Sequence, residues 1–149
     1  MTNISKILLI ISTILLTSCS EAVEVTEYSG SDFTFSYPVS YDLKRAATRF
    51  AFEDAEGNVD LTMYRYLAAD PEEVIQQMSS VGKVCEYEKG GTKYGGYKAY
   101  TVIEPEGGTC DLGGTLISNG DGLLVLIILN NTNSEDLDEA IKDSFEFVK

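Results

Sequence analysis

Apolar and polar positions alternate along most of this chain, and the period lengthens in two places. Phe33, Phe35 and Tyr37 alternate with Thr34 and Ser36, the period of two expected of a half-buried strand, and Pro38 ends the run. Arg49 to Glu53 and Val59 to Leu67 read as the arms of a hairpin around Ala55-Glu56-Gly57-Asn58. In the second arm Leu61, Met63 and Leu67 share one face with Arg65, and Thr62, Tyr64 and Tyr66 share the other. A helix follows. Asp70 can cap it, Pro71 suits its first position, and Glu73 completes a capping-box pattern. Val74, Ile75, Met78 and Val81 make one apolar stripe at helical spacing, and Gly82 stops it.

Strand periods then return at Val84–Glu88, Tyr97–Ile103, Gly114–Ser118 and Leu123–Leu129, between glycine-rich turns. The turn Asn119-Gly120-Asp121-Gly122 is a hairpin signal. Leu123 to Leu129 is apolar at every position, so it should be a central strand covered on both faces. Asn130 to Ser134 caps a second helix with Leu137, Ala140 and Ile141 inward, and Ser144 to Phe147 packs the end. Strands joined by short turns pair antiparallel, because parallel pairs need long crossovers. The expected fold is α+β: a mostly antiparallel sheet of six or seven strands, covered by helices on both faces.

The N-terminus has a different pattern. Met1 to Lys6 is a short head with one cation, and Ile7 to Leu16 is a ten-residue apolar run broken only by Ser12 and Thr13. A spanning helix needs about 20 such residues, so this run has the layout of a signal peptide. Leu16-Thr17-Ser18-Cys19 resembles the bacterial lipobox. The resemblance implies cleavage before Cys19, a diacylglyceryl thioether on its sulfur and an acyl chain, such as palmitate, on its new amine. Cys19 is thus the expected lipidation site and the expected link to a membrane. By resemblance to Gram-negative sorting rules, Ser20, not being Asp, favours the outer membrane of the cell envelope; Glu21 and Glu24 hint at surface export. The organisation expected is a signal peptide over 1–18, the lipidated Cys and an acidic tether over 19–32, and one α+β domain over 33–149. Thirteen tether residues would reach about 45 Å when extended.

The domain resembles the PsbP-like superfamily, named for an extrinsic protein of photosystem II. The pieces that carry the resemblance are Phe33-x-Phe35-x-Tyr37-Pro38, Gly96-Tyr97-x-Ala99-Tyr100, Gly120-Asp121-Gly122 before an apolar strand, and Ser144-Phe145-x-Phe147. It implies an antiparallel sheet between helices and a role as an accessory or binding protein. It carries no catalytic residue set.

Composition narrows the chemistry. Lys plus Arg number 11 against 24 Asp plus Glu, a formal net charge of −13, with no His. The acidity speaks against nucleic acid, which is bound through Lys and Arg. The missing His removes His-based triads, Cys–His dyads and His-ligated metals. No cofactor and no metal are expected. Asp54, Glu56, Asn58 and Asp60 alternate oxygen donors, but an EF-hand needs Gly at position six and Glu at twelve, where Gly57 falls at four and Arg65 at twelve. A solvated hairpin tip is the plainer reading. In an exported protein, Cys85 and Cys110 form an even pair once Cys19 is lipidated. A structural disulfide is expected, free thiols are the alternative, and their wide spacing is unlike a redox C-x-x-C.

One segment departs from the acidity. Val81 to Ile103 holds Lys83, Lys89, Lys93 and Lys98 against Glu86 and Glu88, interleaved with Tyr87, Tyr94, Tyr97 and Tyr100. Tyrosine supplies contact area at low entropic cost, so Lys93, Tyr94, Tyr97 and Lys98 are the expected partner contact. The function expected is a lipid-anchored, non-enzymatic envelope protein that binds or assists a protein partner. The alternatives are a small-ligand or glycan-binding lipoprotein and, third, a carboxylate-based hydrolase.

Overall fold

Ten strands and two helices follow one another along the chain, in a computed structural model that describes residues 22–131 and 134–149. Cys19 and the apolar run before it lie outside the described residues. Strands β1 (Val25–Ser29) and β2 (Phe33–Pro38) form a hairpin, followed by β3 (Asp42–Ala46), β4 (Arg49–Glu53) and β5 (Val59–Leu67). Helix α1 (Pro71–Ser80) precedes β6 (Glu86–Lys89), β7 (Lys98–Ile103), β8 (Gly114–Ser118) and β9 (Leu123–Leu129). Helix α2 (Glu135–Ser144) and the short β10 (Glu146–Phe147) close the chain. Every pairing is antiparallel. Seven strands pair in the order β3-β4-β5-β9-β8-β7-β6, and three pair as β1-β2-β10.

Strand β9 is the middle strand of the larger sheet. Its alternate residues face two separate cores, as an all-apolar strand requires. Leu123, Val125 and Ile127 pack with Phe50, Phe52, Leu61 and Met63, and with Phe33 and Phe35 of the small sheet. Leu137, Ile141 and Phe145 join that cluster. On the other face Leu124, Leu126 and Ile128 meet Leu116, Val102, Cys85 and Cys110, with Val74 and Met78 from α1.

Helix α1 begins as its sequence dictates. The Asp70 carboxylate accepts from the Glu73 amide at 3.1 Å, and Glu73 reaches back to the Ala69 amide at 2.6 Å. At its end the Lys83 and Gly82 amides bond to the Met78 and Ser79 carbonyls, a Schellman closure that needs Gly82 at φ +81°. At the start of α2 the Ser134 hydroxyl donates instead to the Asn131 carbonyl, at 2.6 Å.

Two expectations are corrected. Residues 25–29 are not tether but β1, paired with β2 from Val25↔Pro38 to Ser29↔Thr34. Tyr28 explains it: its ring stacks on Phe35 at 4.9 Å and meets Phe50 edge-on at 5.4 Å. The order of the chain therefore begins before Phe33. Strand β2 does not join the main sheet; β3 takes the edge place there. Arg65 shares the face of Leu61 and Met63, as its period predicts, and is held there by an ion pair with Asp32 from the β1–β2 turn. That pair ties the small sheet to the large one.

Candidate functional site

The expected contact residues divide between core and surface. Tyr94 is corrected outright: it is 1% exposed, and its hydroxyl donates to Asp138 Oδ1 at 2.5 Å. Asp138, on α2, is itself buried and pairs with Lys142 one turn on. Tyr97 is half-buried. Its ring lies edge-on to Phe147 at 4.7 Å, and its oxygen accepts from the Phe147 amide at 3.0 Å. Lys93 and Lys98 remain on the surface.

What joins Lys98 is not Tyr94 but a group on the opposite face of the sheet. Lys89 on β6 pairs directly with Tyr100 on β7. Lys98 lies two positions from Tyr100 on the same strand, so both lysines flank one phenol ring on one face. They line a hollow of about 270 Å³ with Gly90, Ala99 and Tyr100. Tyr87 meets Tyr100 edge-on at 5.8 Å. Strand β6 is the outer strand of the sheet, so one row of its backbone N–H and C=O groups is unpaired within the sheet. Among the described residues the ion pairs are Lys44–Asp42, Arg65–Asp32, Lys83–Asp111 and Lys142–Asp138; Lys89, Lys93 and Lys98 are in none of them. The period of β7 makes Lys98 and Tyr100 legible as neighbours. Lys89 needed the register of β6 on β7, which no local pattern carries.

The cysteines meet. Cys85 and Cys110 are joined as a disulfide with Cα atoms 4.9 Å apart, both buried against α1 and β7. Around them Lys83 pairs with Asp111 at 2.6 Å, and the Thr109 hydroxyl donates to the Gly82 carbonyl at 3.1 Å. The Lys83 ammonium beside Asp111 holds that carboxyl below its ordinary range. At the hairpin tip the Asp54 carboxylate accepts from the amides of Glu56 and Asn58 and from the Asn58 side chain. Among the described residues no three acids or cysteines are grouped to hold a metal, and no helix is long and apolar enough to cross a membrane.

Three tyrosines sit where ionisation is costly. Burial, then the hydrogen bond to Asp60, pushes Tyr41 up to about 12. Burial, then the nearby Tyr64, pushes Tyr66 up to about 12. Burial and Asp138 raise Tyr94 further. The folded chain therefore keeps phenol protons that the unfolded chain releases near pH 10. Their contribution to stability is complete below pH 10 and falls as pH rises through 12. Absorbance at 295 nm should show Tyr41 and Tyr66 ionising only near pH 12, and Tyr94 later still or on unfolding. All nine tyrosines ionising together near pH 10, with the far-ultraviolet spectrum still native, would contradict the burial described.

No protein-family model matches the chain, and a search of curated proteins likewise finds no match.

Proposed function

We propose that this chain is a lipid-anchored, non-enzymatic module of a bacterial envelope, outer membrane favoured, that binds an acidic partner protein through the β6–β7 end of its large sheet. One observation carries the reading. In a chain of net charge −13, Lys89 and Lys98 flank Tyr100 at an open strand edge, and neither is in an ion pair among the described residues. Such a patch steers an acidic partner toward it. The Tyr100 ring supplies contact area, and the free edge of β6 offers backbone hydrogen bonds to an extended segment. The anchor is the lipid on Cys19. The domain is read as a PsbP-like sandwich with helices on both faces, a reading supported by the separate apolar clusters to which α1 and α2 contribute.

The test is charge reversal. Lys89→Glu with Lys98→Glu should weaken capture of the partner about tenfold, as loss of electrostatic steering does, and high salt should weaken the wild type in the same direction. A photo-crosslinker at position 93 in the native envelope reads the result. An adduct that persists unchanged in the double variant would refute the proposal. Both lysines are exposed, so the fold should be unaffected.

A further inference from the structure

We infer that the partner adds an extended segment to β6 as a further strand of the large sheet, with acidic side chains at alternate positions and basic ones between them. The inference rests on the reading of the β6–β7 end as the partner contact.

The hydrogen bonds of β6 decide which backbone groups are free. The Gly90 amide donates to the Ala99 carbonyl at 3.1 Å, and Lys89 stands opposite Tyr100. In an antiparallel ladder, residues that bond to the neighbouring strand alternate with residues that do not. Gly90 and Glu88 therefore turn their amides and carbonyls toward β7. Tyr87 and Lys89 turn theirs outward, and among the described residues no turn or loop backbone bonds to them. Each can exchange both its bonds with one residue of an added antiparallel strand.

The side chains divide by the same period. Tyr87 and Lys89 lie on the face of Val102 and Tyr100, the residues they pair with, and Lys98 is two positions from Tyr100. Glu86 and Glu88 lie on the other face, opposite Ile103 and Thr101. All four charged residues are exposed, and none is in an ion pair among the described residues. The edge thus shows cations on one face and carboxylates on the other. An added strand alternates between the same two faces, so every second side chain meets the lysines and those between meet the glutamates. A uniformly acidic segment would set like charges against Glu86 and Glu88, which opposes pairing. Acids toward Lys89 and Lys98, with Lys or Arg toward Glu86 and Glu88, match both faces at once.

The far edge of the sheet makes the contrast. Strand β3 also has one neighbour, but its charges are already matched. Lys44 pairs with Asp42, and the Arg45 guanidinium lies over the rings of Tyr28 and Phe50, at 5.1 and 5.6 Å. Charges satisfied in that way guard an edge against further strands. Those of β6 are left for a partner to match.

Two short peptides of one composition test this on the full chain. One alternates Glu with Lys; the other carries all its Glu before all its Lys. Their net charge is equal, so overall charge cannot separate them. The alternating peptide should bind about fivefold tighter, as a few matched cross-strand charge pairs allow, and methylating its backbone nitrogens should remove the advantage. Amide exchange places the strand. The Tyr87 and Lys89 amides, fast in the free protein, should slow about tenfold in the complex, while the Glu88 amide, already turned to β7, should change little. Glu88→Lys should weaken the alternating peptide and strengthen the blocked one. Equal binding of the two, or Tyr87 and Lys89 amides that stay fast in the complex, would overturn strand addition and leave the cationic contact standing. Binding of neither peptide would overturn it too, and would mark β6 as an edge whose charges only deter pairing. The crosslink at position 93 reports on the contact separately.

Discussion

Replacing Tyr94 by Ala should cost the fold about 3–5 kcal/mol, the range for removing a fully buried aromatic side chain. The ring lies in the same apolar cluster as Phe145, Leu137 and Ile141. Two losses combine. The cavity forfeits contacts with those neighbours, and Asp138 loses the hydroxyl that donates to it at 2.5 Å. Asp138 would then keep Lys142 but remain buried with one oxygen deprived of its donor. Tyr94→Phe separates the two terms: it keeps the ring and removes the hydrogen bond, at about 1.5–3 kcal/mol for a bond to a charged group. The backbone next to Tyr94 has no freedom to adapt. The Gly95 amide donates to the Lys142 carbonyl at 3.1 Å, and a Cβ at Gly95 would stand 2.1 Å from the Phe145 carbonyl oxygen. Equilibrium urea unfolding decides the matter. A Tyr94→Ala protein within about 1 kcal/mol of the wild type would mean that the ring is not in the core.

Removing the disulfide should be nearly as severe. Cys85→Ala with Cys110→Ala is expected to lower stability by about 2–4 kcal/mol, chiefly by freeing the unfolded chain of a closed loop. The bond spans 25 positions and fastens the segment before edge strand β6 to the segment before β8. Edge strands have one neighbour, so β6 depends on such fastening more than the strands inside the sheet do. The exposed Lys83–Asp111 pair and the Thr109 hydroxyl bonds would persist but contribute little alone. Unfolding with and without reductant is the direct comparison. The wild type should lose stability on reduction, and the double variant should be insensitive to it. Tyr94 and the disulfide belong to different apolar clusters, so their effects should add.

Both residues show how far the sequence could be read. The cysteine pair was legible: on the expectation of export and of lipid on Cys19, two cysteines remain, and a disulfide is their commonest use. Tyr94 was not. Between glycines and lysines its neighbours are those of an exposed turn, and only the packing of that turn onto α2 buries it. The strand edges were missed for a related reason. Residues 42–46 read Asp-Leu-Lys-Arg-Ala, and Leu43 is their one large apolar residue, because an edge strand buries little and its charges deter unwanted pairing. Val25–Ser29 hides the same way: Tyr28 is the one residue among its five that is not exposed.

The sequence by itself determined the elements whose pattern is local and strong. These are the hairpin of β4 and β5, the capped start and Gly82 stop of α1, the limits of β8, and β9 as a central strand facing two cores. In each case the period of apolar residues, a cap or a turn residue carries the information within a few positions. Only the tertiary structure decided that β2 leaves the main sheet, that Asp32 neutralises Arg65, that Tyr94 is core, and that Lys89 and Lys98 flank Tyr100. Those outcomes depend on register and on contacts between residues far apart in the chain. No local period encodes them, because their energy exists only once the sheets have closed over each other.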